Sequence, residues 1–308
     1  MSGIIRLGLI GVGKIARDQH VPAIAANRAF ALAATVDPAN SMPGVPGFAS
    51  LAELLADGPV VDAVAICTPP QIREAIAIEA LEADLHVMLE KPPAGTLSGV
   101  ERLVVAATPG RTLFAAWHSR EAPMVAAARD WLTDRTIRHG TIRWREDARV
   151  WHPGQHWLWQ PGGLGVFDPV INAFSILTEI SSENFSIHDA QFEIPLNQHA
   201  PIAATGRLAG RSGIITLDLD FREAGTPCWD IELETTDGGR MILSDGGHRL
   251  TIDDATVRTA PNAEYPGLYR RFAELVENGA SDVDAAPLRL VADAFLVARS
   301  YRGADYDV

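Results

Sequence analysis

Residues 4–16 read Ile4-Ile5-Arg6-Leu7-Gly8-Leu9-Ile10-Gly11-Val12-Gly13-Lys14-Ile15-Ala16, an aliphatic run that ends on two glycines and passes straight into a helical pattern. Ile4–Ile10 has the composition of a strand buried on both faces, and Lys14–Ala26 that of the helix behind it. Between them lies the pattern G-x-G-x-x-A. Gly11 permits a tight turn, Gly13 lets a pyrophosphate approach the backbone, and the small Ala16 allows close helix–sheet packing. The helix start then offers unpaired N–H groups and a positive dipole end to the phosphates. A glycine turn that binds nothing can carry the same letters. Here a strand precedes it, a helix follows it, and the acidic Asp37 stands about 20 residues further on, at the end of the next apolar run. A carboxylate there can accept both ribose hydroxyls of NAD and repels the 2′-phosphate of NADP. Pro38-Ala39-Asn40 bring no arginine, so NAD is expected over NADP. Asp37 before Pro38 is also a turn starter.

Outward from this stretch, strands and helices alternate. Phe30–Val36, Val61–Cys67, His86–Leu89 and Thr112–Trp117 have strand composition, and Leu51–Leu55, Ile72–Ala83 and Leu97–Ala107 have helical spacing. That rhythm predicts a Rossmann-type, doubly wound parallel sheet over residues 1–120. Past it the rhythm changes. After a helix at Met124–Leu132, strand-like runs dominate: Thr141–Arg145, Phe185–Phe192, Ala203–Leu208, Gly213–Phe221, Trp229–Thr235, Met241–Leu243 and Leu250–Ile252. Asp237-Gly238-Gly239 and Asp245-Gly246-Gly247 are hairpin signals. Tyr265–Asn278 and Leu288–Ser300 are expected as closing helices. Residues 121–308 therefore read as an α+β domain with a mostly antiparallel sheet.

Composition narrows the function classes. The chain has 308 residues, 47% hydrophobic and 21% charged, and a net charge of −13. Such a surface repels phosphate backbones, so no nucleic-acid partner is expected. No run of 18 or more uncharged apolar residues occurs, so no membrane span is expected. The two cysteines, Cys67 and Cys228, exclude a disulfide framework and favour the cytoplasm.

Three further stretches carry chemistry. Glu90-Lys91-Pro92 stands just past a strand, on the carboxyl edge where doubly wound sheets bind ligands, although a solvated loop lysine fits the same letters. Residues 151–172, WHPGQHWLWQPGGLGVFDPVIN, hold Trp151, Trp157 and Trp159 among His152, Gln155 and His156. Aromatic faces with polar neighbours suit a sugar, and they equally suit domain packing. Pro153-Gly154 break any helix between His152 and His156, so no metal pair is expected. Asp168 and Asn172 lie one helical turn apart, a proton acceptor beside a neutral amide. Asp168 before Pro169 also matches an N-cap with proline at N1.

Gly11–Ala16, Glu90-Lys91-Pro92 and the Asp168-centred helix after Gly162-Gly163 resemble the Gfo/Idh/MocA family of oxidoreductases over essentially the whole chain. The resemblance implies a Rossmann domain joined to an open-faced sheet domain, with a sugar or cyclitol bound between them and homodimers paired through the sheet. The family pattern has histidine four residues after the aspartate; here it is Asn172. The longer strings GVGKIARDQHVPAI, Met88–Pro93, Trp117-His118-Ser119 and WHPGQ…PGGLGVFDP…IN resemble bacterial aldose 1-dehydrogenases. That group implies NAD(P)-linked oxidation of C1 of D-galactose and/or L-arabinose to the lactone. Expected cofactor contacts are Gly11, Gly13, Lys14, Ile15, Ala16, Asp37, Thr68, Pro69, Glu90 and Lys91. Implied substrate contacts are His118, Glu146, Trp151, His152, Asp168, Asn172 and Trp229. Lys91, Asp168 and Asn172 are the expected catalytic set, with either Asp168 or Lys91 as proton acceptor. Another sugar or cyclitol dehydrogenase, or a non-catalytic dinucleotide-sensing regulator, are the alternatives.

Overall fold

A computed structural model describes residues 3–307; the outermost residues of the two expected domains, 1–2 and 308, lie outside it. The chain forms two compact units. One contains residues up to His118 together with Glu264–Ala285, and the other contains Ser119–Ala263 and the remainder from Ala286.

The first unit is built on six parallel strands: β1 (Ile5–Ile10), β2 (Phe30–Val36), β3 (Gly47–Phe48), β4 (Ala63–Ile66), β5 (His86–Glu90) and β6 (Leu113–Ala116). Their order is β3-β2-β1-β4-β5-β6, with helices α1 (Val21–Ala26), α2 (Leu51–Asp57), α3 (Pro70–Glu82) and α4 (Leu97–Ala106) in the connections. β4 and β5 are buried along their whole length, as central strands covered on both faces must be. The order reverses between β1 and β4, the switch point beyond whose carboxyl ends such sheets bind ligands. The helix after Gly13 departs from α winding over Ala16–His20, which form a π-helical turn. Pro22 has no N–H to return to the Asp18 carbonyl, which favours the wider turn. That turn ends on His20, whose ring is fully buried.

The second unit runs α5 (Val125–Leu132), β7 (Ile137–Arg145), α6 (Ala148–Trp151), α7 (Phe167–Ile180), β8 (Ser186–Pro195), β9 (Ala203–Ala209), β10 (Ile214–Asp220), β11 (Cys228–Thr235), β12 (Arg240–Ser244), β13 (Arg249–Ile252) and β14 (Ala255–Thr259). The chain then enters α8 (Glu264–Asn278), which belongs to the first unit, before α9 (Ala286–Val297) and β15 (Ala298–Gly303) return to the second. The nine strands are ordered β14-β13-β12-β11-β7-β10-β9-β8-β15. Neighbours are antiparallel except the pairs β7–β10 and β8–β15. β10 shows the two-faced character: Ile215, Leu217 and Leu219 are buried, while Thr216 is exposed and Asp218 pairs with Arg143 at 3.5 Å and Arg145 at 3.1 Å.

The structure corrects two expectations. Residues 298–300, expected at the end of a helix, are strand, because Ala298–Gly303 find parallel partners in Ala190–Pro195 and long-range pairing overrides helical propensity. Glu264–Ala285, expected in the second domain, belongs to the first unit. Tyr265, Leu268, Tyr269, Phe272 and Val276 form one apolar stripe of α8 that packs with Phe30, Met88 and Phe114. Asp282 then pairs with β6, accepting from Ala115 N at 2.9 Å and donating to the Leu113 carbonyl at 2.9 Å, which covers that sheet edge. Among the described residues no helix is long and apolar enough to cross a membrane.

Candidate active site

The turn after β1 has the shape a dinucleotide needs. Gly11 has φ +85°, and a Cβ there would stand 2.9 Å from Thr68 N, so only glycine fits. A Cβ on Gly13 would meet nothing within 4 Å, which leaves its backbone open to a close-approaching group. Lys14 is exposed and pairs with Asp18; Ile15 is 38% exposed, whereas Ala16 is buried against the sheet. Past β4, the buried Thr68 hydroxyl finds no hydrogen-bond partner among the described residues, and Pro69 is exposed. These residues fit a bound dinucleotide.

Asp37 performs the turn-building role, one of the two the sequence offered. Its Oδ1 accepts from Ala39 N (2.9 Å), Asn40 N (2.8 Å) and Asn40 Nδ2 (3.0 Å), building the turn. Its Oδ2 accepts Val12 N at 2.8 Å and keeps further acceptor capacity. Partial burial alone would raise this carboxyl; the hydrogen bonds from Val12, Ala39 and Asn40 outweigh it and hold it below the usual range. One basic residue escaped the sequence reading. Arg17 reaches the Val12 carbonyl at 3.1 Å and the Ser41 carbonyl at 3.2 Å, so a guanidinium does stand beside the Asp37 turn.

Glu90 ends β5 fully buried among donors. Its Oε1 meets His20 Nε2 at 3.0 Å and the Tyr265 hydroxyl at 2.7 Å, and its Oε2 accepts Lys91 N at 2.9 Å. His20 Nδ1 continues to the Tyr269 hydroxyl at 2.8 Å. Burial opposes the charge on Glu90, but the hydrogen bond and charge of His20, the charge of His118 and the Tyr265 hydroxyl hold its carboxyl well below the usual range. Burial likewise opposes a charge on His20; contacts with Cys67, Tyr269 and Glu90 prevail and raise it well above its ordinary value. Arg73, buried on α3, donates to the carbonyls of Glu90, Pro92 and Thr68, and the Lys91–Pro92 peptide bond is cis. Lys91 itself is half-buried. His118 Nδ1 stands 2.6 Å from Glu264 Oε2, and its ring stacks on Tyr265 at 5.4 Å. The roles of His20, Arg73, Glu264, Tyr265 and Tyr269 were not foreseen in the sequence.

The second unit gathers most of the implied substrate contacts. Glu146, just past β7 and buried, takes His152 Nε2 on Oε1 at 2.8 Å and the Trp229 indole N–H on Oε2 at 2.7 Å. The Trp151 ring meets Trp229 edge-on at 4.9 Å and is 43% exposed. His152 Nδ1 lies 3.9 Å from Asp168 Oδ2. Trp159 is different: it is buried against Phe221 and Tyr306, so its role is packing. α7 starts at Phe167 with Val166 at the N-cap position, so Asp168 lies inside the first turn and is not the cap. Gly165 sets this entry; at φ +52° its Cβ would stand 2.2 Å from the Pro201 carbonyl oxygen. Asn172 follows Asp168 by one turn and is half-buried. Among the described residues no group of three or more His, Cys, Asp or Glu is arranged to hold a metal ion.

The sequence model of the Gfo/Idh/MocA family, described as an oxidoreductase family with an NAD-binding Rossmann fold, matches residues 5–115. Galactose 1-dehydrogenase of Pseudomonas fluorescens is 46% identical over 306 residues, covering 95% of each chain. The crystal structure of a D-galactose-1-dehydrogenase from Rhizobium etli superposes with a TM-score of 0.93 at 46% identity, over 100% of this chain and 99% of that one. A 3-ketoreductase from Actinomadura kijaniata, crystallised with NADP, shares the fold with a TM-score of 0.81 at 20% identity, over 98% of this chain and 100% of that one. The chain belongs to the Gfo/Idh/MocA family of oxidoreductases.

Proposed function

We propose that this chain is an NAD-preferring aldose 1-dehydrogenase that oxidises C1 of a galacto-configured sugar, D-galactose and/or L-arabinose, to the aldonolactone. The observation that carries the reading is full-length similarity at 46% identity to a galactose 1-dehydrogenase. The cluster Glu146, His152, Trp229, Asp168 and Asn172 supports it, since buried acceptors beside aromatic faces suit a polyol with apolar C–H surfaces. A bound dinucleotide supplies the hydride acceptor. The chain's own groups handle the proton: Asp168 accepts it from the C1 hydroxyl, Lys91 polarises that oxygen, and Asn172 orients it. Glu90 and Arg73 fix the backbone that carries Lys91. The reading extends to a homodimer, checked by sedimentation equilibrium.

The deciding experiment is an oxidation screen of aldoses and inositols with NAD and with NADP. L-Arabinose and D-galactose share configuration at C2, C3 and C4, so both are expected to turn over. D-Glucose, epimeric at C4, should leave a buried partner unpaired and lose about 1–3 kcal/mol in kcat/KM. Equal kcat/KM for D-glucose and D-galactose would contradict the assignment. Oxidation of inositols alone would move it to a cyclitol dehydrogenase, and turnover of nothing to a dinucleotide-sensing regulator.

Cofactor choice gives a second prediction. NAD should have the higher kcat/KM because Asp37 is held ionised where a 2′-phosphate would sit. Arg17 moderates that repulsion, so Arg17→Ala should widen the preference for NAD, and Asp37→Ser with Pro38→Arg should shift it towards NADP. Kinetics with both cofactors decide; a wild-type preference for NADP overturns the assignment.

A further inference from the structure

His152 sits between two carboxylates. Its Nε2 bonds to Glu146 Oε1 at 2.8 Å, and its Nδ1 faces Asp168 Oδ2 at 3.9 Å. Nδ1 is buried and finds no hydrogen-bond partner among the described residues. Glu146 is itself anchored twice, by this imidazole and by the Trp229 indole at 2.7 Å, and the Phe221 ring flanks His152 at 5.2 Å. The imidazole plane is therefore fixed. A carboxylate only accepts, so the hydrogen on the Glu146 side stays on Nε2, and Nδ1 is the nitrogen left to exchange a proton. One hydroxyl or water spans a gap of this length. Asn172, the neighbour of Asp168 on α7, is an amide and cannot take a proton.

We propose that His152 is a relay residue that relieves Asp168 of its proton. The inference rests on Asp168 being the base in the reading above. As hydride leaves C1, the proton of the C1 hydroxyl passes to Asp168 Oδ2 and the C1–O bond becomes a carbonyl. The proton then moves from Asp168 to His152 Nδ1, restoring the aspartate anion. Glu146 balances the imidazolium charge, and because Nδ1 is buried the proton is handed on from it through a bridging water once the product has left. A sugar contact or a packing role predicts something else: a change in KM or in stability, with proton transfer untouched.

The test uses the full chain with NAD and D-galactose, rates being divided by the amount of NAD bound in a fluorescence titration. His152→Gln keeps a donor towards Glu146 but cannot relay. It should lower kcat by about 10²-fold, the lower end of what a positioned proton acceptor contributes, with little change in KM for the sugar and a larger solvent deuterium isotope effect on kcat. His152→Ala should regain turnover when imidazole is added. Unchanged kcat in His152→Gln overturns the relay whatever KM does, and so does a fall in kcat without a change in the isotope effect, or no gain from imidazole. Asp168→Asn measured alongside separates the two claims. If it retains turnover the base reading itself fails; if it loses turnover while His152→Gln does not, only the relay fails.

Discussion

Asp168→Asn should lower kcat by about 10²–10⁴-fold, the contribution of a positioned proton acceptor, while folding and NAD binding stay intact. In barrier terms that is roughly 3–5 kcal/mol. The substitution keeps the size and shape of a buried side chain in the first turn of α7 and removes only its ability to take a proton. A carboxylate near a helix N-terminus also contributes about 0.3–1 kcal/mol through the helix dipole, so the melting temperature should move by only a few degrees. Helix capping, the rival role for Asp168, predicts kept activity and kept stability, because asparagine caps a helix about as well as aspartate. Since Val166 occupies the N-cap position, that pattern is not expected. The measurements are kcat at saturating sugar and NAD and the thermal transition followed by circular dichroism. Near-normal turnover would transfer the proton to Lys91, and Lys91→Met would then be the variant that abolishes activity.

What could be read in the sequence differs between the fold and the site. The first five major strands of the first unit were legible because each is an aliphatic run bounded by turn residues, and Gly11–Ala16 sits between a strand and a helix. α8 was legible as a helix, but an apolar stripe does not say which sheet it covers, and so its place in the first unit was missed. β15 was lost for a related reason: Ala298–Gly303 become strand only through partners more than a hundred positions away. The buried polar network around Glu90 was the hardest part to foresee. His20 and Tyr269 stand 249 positions apart and still share a hydrogen bond. Arg73 and His20 sit in helical patterns where polar residues ordinarily mark the solvent side. Only the carbonyls and carboxylate at the end of β5 turn them inward. Glu146, His152 and Trp229 came from the family resemblance; their contact with one another depends on β7 and β11 being neighbours, which no local pattern states.

Glu90→Gln should destabilise the protein by about 3 kcal/mol, as expected when one partner of a buried ion pair is removed and the other is left uncompensated. Glu90 and His20 are both buried, and the carboxylate also receives Tyr265 and Lys91 N. Glutamine keeps the volume, but its amide group cannot accept from all three directions. The pH dependence identifies the charge. Because the fold raises His20 well above its ordinary value, His20 contributes stability that is complete below about pH 6.5 and is lost as pH rises through its folded value. Glu90 is depressed, so its contribution is complete above about pH 4.3 and is lost as pH falls towards its folded value. The gap between wild type and variant should therefore be widest between those limits and narrow on both sides, by at most about 1.4 kcal/mol per pH unit for one linked proton. Urea unfolding of both proteins at a series of pH values measures it. A gap that stayed constant from acid to alkaline pH would mean that His20 is neutral in the fold, and that Glu90 holds the Lys91 backbone through hydrogen bonds alone.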